Sequence, residues 1–205
     1  VYSPWSRETL ADSGVGEGKV RVLPLAYEAP RAGYERVVPE RFTADEPLRV
    51  LFLGQVILRK GAHLLIQAME QLRGQPVVLD LVGPVGMEIP GPFRDLPNIR
   101  WHGPVSRQEA ADCYRRAHVF ILPTLSDGFA ITQLEAQAWG KVVEPGVNGG
   151  LIDPVSPATI AGVIQACLDD PARLARWTRH SSVAEDFSLP ALQRNLLEIE
   201  MALFP

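Results

Sequence analysis

The stretch Leu122-Pro-Thr-Leu-Ser-Asp-Gly-Phe-Ala-Ile-Thr-Gln-Leu-Glu-Ala-Gln-Ala-Trp-Gly140 decides the fold. It continues an apolar run, Val119-Phe-Ile-Leu122, that reads as a buried strand, and it closes on a glycine suited to a helix C-terminus. Asp127-Gly128 supplies the turn between them. Phe129, Leu134, Ala138 and Trp139 recur among good helix formers, which predicts a helix starting near Gly128. A helix that starts directly after a strand aims free backbone N–H groups and a positive dipole end at whatever sits over the turn. A phosphate or a sugar hydroxyl suits that place. Asp127 stands at its mouth, and Glu135 follows eight positions later, about two helical turns in.

The same strand-then-helix rhythm runs outward from this unit. Leu48-Arg-Val-Leu-Phe-Leu53 is a nearly continuous apolar strand, as expected when helices cover both faces of a sheet. Gly54 ends it, Gln55 to Gly61 forms a loop, and a helix spans about Ala62 to Leu72. Pro76–Val82 and Asn98–His102 read as the next two strands, closed by Gly83 and Gly103. Ser106-Arg-Gln-Glu109 is a capping box that opens a helix to Ala117. Later helices start at Ser156-Pro157 and Asp170-Pro171, and a last one runs from Leu189 to Leu203. A strand is expected at Gly150-Leu-Ile-Asp153. Upstream, Ser3-Pro4 caps a short helix to about Ser13, and Lys19-Val-Arg-Val-Leu-Pro-Leu25 alternates like a strand. Residues 26–47, with Pro30, Gly33, Pro39 and Pro47, read as linker. The pattern gives an α/β fold with a doubly wound parallel sheet, whose ligands sit beyond the carboxyl ends of the strands.

The totals narrow the function classes. A net charge of −4 over 205 residues gives no electrostatic case for nucleic acid or an anionic membrane. No apolar run approaches the ~20 residues of a membrane span. Cys113 and Cys167 are too few for a disulfide framework and fit buried thiols in a reducing, cytoplasmic setting. His63, His102, His118 and His180 lack metal-ligand spacing and read as packing or surface residues.

The stretch from Asp127 to Glu135 resembles the donor-site signature of the retaining GT-B glycosyltransferases, in which Glu-Gly-Phe-Gly leads to Leu-Glu-Ala. Asp127 stands for the first glutamate, Ala130 for the second glycine, and Glu135 falls where the second glutamate is expected. The resemblance covers nearly the whole chain. It implies that Glu135 binds the nucleotide ribose, while Asp127 and the amides of Gly128, Phe129, Ala130 and Ile131 hold the donor sugar and phosphate. Lys60-Gly61 is similar to the family's Lys-Gly loop that grips the donor diphosphate. Gln55 replaces the arginine of that loop and removes one charge. Gly83, Gly103 and Val105 match segments that border the nucleotide base. Lys60 and Asp127 are then the catalytic candidates.

The same resemblance divides the chain into the last elements of an N-terminal acceptor domain (1–25), a linker (26–47) and a Rossmann-like donor-binding domain (48–205). It implies a metal-independent enzyme with no cofactor. Its substrate is a nucleotide-diphosphate sugar, its acceptor is unknown, and its N-terminal partner domain is missing, so this piece alone would transfer little. It also implies a break between Gly140 and Lys141, or else a genuine deletion there, because Val143-Glu-Pro-Gly-Val-Asn-Gly149 matches a family loop whose preceding strand has no counterpart. Leu192, Leu196, Ile199 and Leu203 form an apolar stripe expected to cover Trp5 and Leu10, or a neighbouring chain. Gln55, Asp127 and Ala130 erode the motif, which keeps open a nucleotide- or phosphate-binding module that has lost catalysis. A protein-interaction domain is a third reading. Hydrolysis by the two carboxylates is a fourth, although a carboxylate inside a helix suits hydroxyl binding better.

Overall fold

The computed structural model of the protein describes residues 1–28, 37–140, 151–179 and 183–203. Four parallel strands, β1 (Leu48–Leu53), β2 (Val77–Val82), β3 (Ile99–Gly103) and β4 (Val119–Phe120), form a sheet in the order β3-β2-β1-β4. The chain therefore moves outward from β1 to β3 and then returns to the far side of β1. That reversal is the topological switch point of a doubly wound sheet. Helices α2 (Ala62–Gln71), α3 (Gly91–Arg94), α4 (Arg107–Arg116) and α5 (Ile131–Ala138) follow the four strands in turn, and α6 (Pro157–Asp169), α7 (Pro171–Arg179) and α8 (Leu189–Leu203) complete the chain after α1 (Pro4–Asp12).

Side-chain alternation along the strands sorts the core into two layers. Leu48, Val50 and Phe52 face α2 and α6 together with Leu79, Leu81, Ile99 and Ile121. Leu51, Val82 and Phe120 face the other way, toward Cys113, Tyr114 and Ala117 at the end of α4 and Ala136 of α5. Each such aliphatic or aromatic side chain withdrawn from water contributes about 1.5–3 kcal/mol. Both cysteines are buried and free.

The local capping chemistry is realised as read. Ser3 Oγ accepts from Ser6 N at 3.1 Å, Ser156 Oγ from Thr159 N at 3.1 Å, and Ser106 and Glu109 cap each other reciprocally. Other expectations need correction. Lys19–Leu25 is no strand: a 3-10 turn at Glu17–Lys19 leads into irregular chain, tied by Leu23 N to Val1 O at 2.8 Å. Alternation needs a neighbouring strand to pair with, and none of the described strands lies there. Residues 151–153 likewise form no strand. The motif helix starts at Ile131 instead of Gly128, which leaves Glu135 only a little over one turn inside it.

Helix α8 meets the N-terminal segment at a different place from the one expected. Asn195, Glu198, Ile199 and Ala202 share a recess with Arg7 and Val20–Val22, while Trp5 stays 56% exposed and Leu196 48% exposed. The proposed break between Gly140 and Lys141, and His180, lie outside the described residues.

Candidate functional site

The site is assembled at the switch point, where the loop after β1 meets the turn after β4. After Gly54 the chain passes Gln55, which is exposed, and pairs Val56 with Val85 beyond β2. A 3-10 turn at Leu58–Lys60 then delivers Gly61 in the left-handed region at φ 69°, from which α2 starts. A Cβ on Gly61 would sit 1.9 Å from the carbonyl oxygen of Pro123, so only glycine lets the two segments approach this closely. The contact is stitched by hydrogen bonds. Leu125 N donates to Arg59 O at 2.9 Å, Thr124 Oγ1 donates to the same oxygen at 3.3 Å, and Arg59 Nη1 donates to Ser126 O at 2.8 Å. Lys60 Nζ donates to Asp127 Oδ2, and both side chains are mostly shielded, at 16% and 15% exposure.

The turn continues through Gly128, which is exposed and whose nearest neighbour in the direction of a side chain is Ser6 Oγ of α1. Phe129 leans on Phe187, with ring centroids 5.9 Å apart. Ala130 occupies the N-cap of α5 and offers no side-chain acceptor to the first-turn amides. A helix start without a side-chain cap leaves backbone donors for a ligand or water.

Glu135 points to a different neighbour. Its Oε2 accepts from the Tyr114 hydroxyl at 2.9 Å, and the same hydroxyl lies 3.1 Å from Thr132 O. Burial raises the Glu135 carboxyl above the ordinary carboxylate range, while the Tyr114 hydrogen bond and the Arg107 charge pull it back. Tyr27 lies near enough for its own phenol to be raised by burial and by Glu135, against a lowering hydrogen bond with Trp139.

Gly83 and Gly103 stand at the ends of β2 and β3, in one row with Gly54 at the end of β1. Gly83 N donates to Gly103 O at 2.8 Å, and a Cβ on Gly83, at φ 134°, would sit 2.0 Å from Gly54 O. Val105 packs against the core layer beneath α4. The structure thus joins Lys60 to Asp127 at the switch point, puts Gly128–Ile131 beside them, and sets Gly83 and Gly103 along the same carboxyl edge. An apolar cavity of about 330 Å³ adjoins the same turn, lined by the His118–Thr124 stretch and Gln133 of α5 together with Val163, Cys167, Leu174 and Trp177. None of its described lining residues is a lysine, arginine or carboxylate, so it competes poorly with the strand edge as a diphosphate site.

Of the histidines, His118 accepts from Arg49 N at 2.9 Å and meets Phe42 edge-on, and His102 Nε2 lies 2.6 Å from Asp80 Oδ1. Sequence reasoning missed Tyr114. Its position on the buried side of α4 made it look like one more core aromatic.

Residues 47–170 match the family model described as Glycosyl transferases group 1. The chain belongs to that glycosyl transferase family. It is 35% identical over 154 positions to a D-inositol 3-phosphate glycosyltransferase of Xylanimonas cellulosilytica, a match using 64% of this chain and 36% of the relative. It is 30% identical to the enzyme of the same name from Kineococcus radiotolerans, a match using 94% of the chain and 54% of the relative. The chain therefore spans roughly a third to a half of these relatives' lengths. The second match runs over 234 positions against a chain of 205 residues, leaving at least 29 positions of that relative without a counterpart. In fold, the group 1 chain is similar to the Anabaena protein HepE, solved with UDP and glucose: TM-score 0.77, 16% identity, covering 98% of this chain and 62% of that one. The architecture is that of the GT-B glycosyltransferases. Among the described residues no helix is long and apolar enough to cross a membrane, and no three His, Cys, Asp or Glu side chains gather as a metal site.

Proposed function

We propose that the chain is the donor-binding domain of a retaining, metal-independent glycosyltransferase, which takes a sugar from a nucleotide-diphosphate sugar. The observation that carries this reading is the meeting of Lys60 and the Asp127–Ile131 turn at the switch point of the sheet, beside an α5 start with no side-chain cap. A cation and a set of fixed N–H donors at one spot suit a diphosphate. In transfer, the bond between the anomeric carbon and the diphosphate oxygen breaks, and its electron pair leaves with the diphosphate. The acceptor hydroxyl oxygen bonds to the same carbon on the same face, and its proton passes to the departing diphosphate. Lys60 stabilises the charge that gathers on the leaving group; one such preorganised donor is worth about 2.7–4 kcal/mol in a transition state.

Lys60 and Asp127 neutralise one another. A bound donor redirects both: Lys60 turns to the diphosphate and Asp127 to the sugar hydroxyls. Glu135 takes the ribose hydroxyls. Gln55 supplies a neutral hydrogen-bonding group where a second cation would otherwise help, and Arg59, drawn to the Ser126 carbonyl, stays with the turn. HepE was solved with UDP and glucose, which favours UDP as the nucleotide. The relatives extend well beyond the matched stretch, and we assign the acceptor side to that other half, including a boundary near residues 26–47.

The test is calorimetric titration of the 205-residue chain with UDP, GDP, ADP and UDP-glucose. Tighter binding of UDP-glucose than of UDP is the expected result. Binding of bare nucleotide alone would favour a module of the same fold that has lost catalysis, and no binding of any of them would overturn the donor-site reading.

A further inference from the structure

The Tyr114 side chain has a role that packing does not explain. The residue is 2% exposed within an otherwise apolar layer, and its ring rests against Phe120 with centroids 5.9 Å apart. Phenylalanine would fill the same space without bringing a hydroxyl into the core, which is costly unless that hydroxyl is bonded. The hydroxyl proton is shared between Glu135 Oε2 at 2.9 Å and Thr132 O at 3.1 Å. Burial pushes the phenol far up, so it remains a donor at every working pH.

These two acceptors define a direction. Thr132 is three residues before Glu135, on the adjoining turn of α5, and side chains on a helix lean toward its N-terminus. A hydroxyl that bonds both the Thr132 carbonyl and the Glu135 carboxylate holds that carboxylate in one orientation between α4 and α5. Oε1 accepts no hydrogen bond among the described residues. One carboxylate oxygen is anchored and the other is left for a ligand.

We infer that Tyr114 is a positioning residue for donor recognition: it holds Oε2 of Glu135 so that Oε1 meets a ribose hydroxyl of the nucleotide. The inference rests on the reading of Glu135 as the ribose-binding carboxylate. A charge-assisted bond made by a preoriented carboxylate loses little side-chain freedom on binding, and the gain appears only with ligands that have the hydroxyl. Other groups facing Glu135 are Arg107 at the start of α4 and Tyr27 from the N-terminal segment; neither bonds the carboxylate as Tyr114 does.

The experiment is calorimetric titration of the full chain with UDP and with 2′,3′-dideoxy-UDP, for wild type, Tyr114→Phe, Glu135→Ala and the double variant. Circular dichroism and thermal melting confirm folding. Wild type should prefer UDP, and Tyr114→Phe should shrink that preference by about tenfold, the scale of one charge-assisted hydrogen bond. The dideoxy ligand should bind Tyr114→Phe as it binds wild type, and the double variant should be no worse than Glu135→Ala. Losing the phenol also raises the Glu135 pKa, so the fall of UDP affinity on acidification should begin at higher pH in Tyr114→Phe. A purely structural Tyr114 would weaken both ligands equally or neither, with no change in the pH profile, and that result overturns the inference. If Glu135→Ala leaves the preference intact, the ribose reading itself is wrong. If Glu135→Ala abolishes it while Tyr114→Phe does not, only the positioning role fails.

Discussion

On one face of the sheet, α2 and α6 bury Leu65, Ile66, Met69, Ile160 and Ile164 against a continuous aliphatic layer, to which α7 adds Leu174 and Trp177. On the other face, α4 and α5 cover a smaller cluster built on Leu51, Val82, Cys113, Tyr114 and Ala136. Asp80, paired with Leu51 in register, shares that second face and holds His102 there. The first layer is apolar and, away from the cavity at Cys167, Leu174 and Trp177, closed. The second is thin enough that a phenol and a carboxylate reach each other through it. The difference teaches where a function could be read: apolar burial is concentrated on one side, and a shielded phenol–carboxylate pair stands on the other.

The largest expected effect belongs to the closed face. Leu65, fully buried, should lose about 2–5 kcal/mol of stability on truncation to alanine, and urea unfolding would measure it. UDP affinity of the folded fraction should be unchanged. Gly61→Ala comes next, at about 1–3 kcal/mol, because its Cβ would overlap the Pro123 carbonyl and must also hold a left-handed backbone. Unlike Leu65→Ala, it should abolish UDP binding in protein that is still folded by circular dichroism. A Gly61→Ala chain that binds UDP normally would break the link between this close approach and the site.

Lys60→Met leaves the mostly shielded Asp127 carboxylate unpaired, so it should cost about 1–3 kcal/mol in stability and weaken UDP by about ten- to a hundredfold in calorimetry. The smallest effect is a gain. Burial raises the Glu135 pKa in the folded state, whereas the unfolded chain titrates near the ordinary value of about 4.3. Between those two values the folded state binds the extra proton, so stability falls as pH rises through that window, and the penalty persists above it. Glu135→Gln removes the penalty. Its melting temperature should exceed wild type at pH 7–8 and match it below about pH 4, while UDP affinity drops. A lower melting temperature at pH 7 would show that the carboxylate is a net stabiliser.

What could be read from the sequence was local. Ser3, Ser106 with Glu109, and Ser156 announced helix starts because a cap is satisfied within three residues. The strands of the sheet were legible as apolar runs between glycines. Val20 and Val22 misled because alternation describes a strand only when another strand is there to pair with. The start of the motif helix was misplaced because Phe129, drawn to Phe187, belongs to a tertiary contact rather than to the helix. Asp127 and Glu135 could be singled out by their spacing. Tyr114 could not, because nothing local distinguishes a phenol that packs from one that also aims a carboxylate. The break expected after Gly140 lies outside the described residues.

The return of the chain from β3 to β4 also sets an order of events. Lys60 and Asp127 lie 67 residues apart, and everything that forms β2 and β3 lies between them. Closing a loop of that length costs about 0.6 kcal/mol more than closing the roughly thirty-five residues within which β1, α2 and β2 associate, and that cost must be met before any contact rewards it. During synthesis, the lysine loop would leave the ribosome well before its carboxylate partner existed. In refolding, the amide of Leu125, bonded to the Arg59 carbonyl, should gain protection from hydrogen exchange after the amides of β1 and β2 do. Simultaneous protection in pulse-labelled exchange would show a sheet that assembles as one unit. The ligand site would then be as old, kinetically, as the core beneath it.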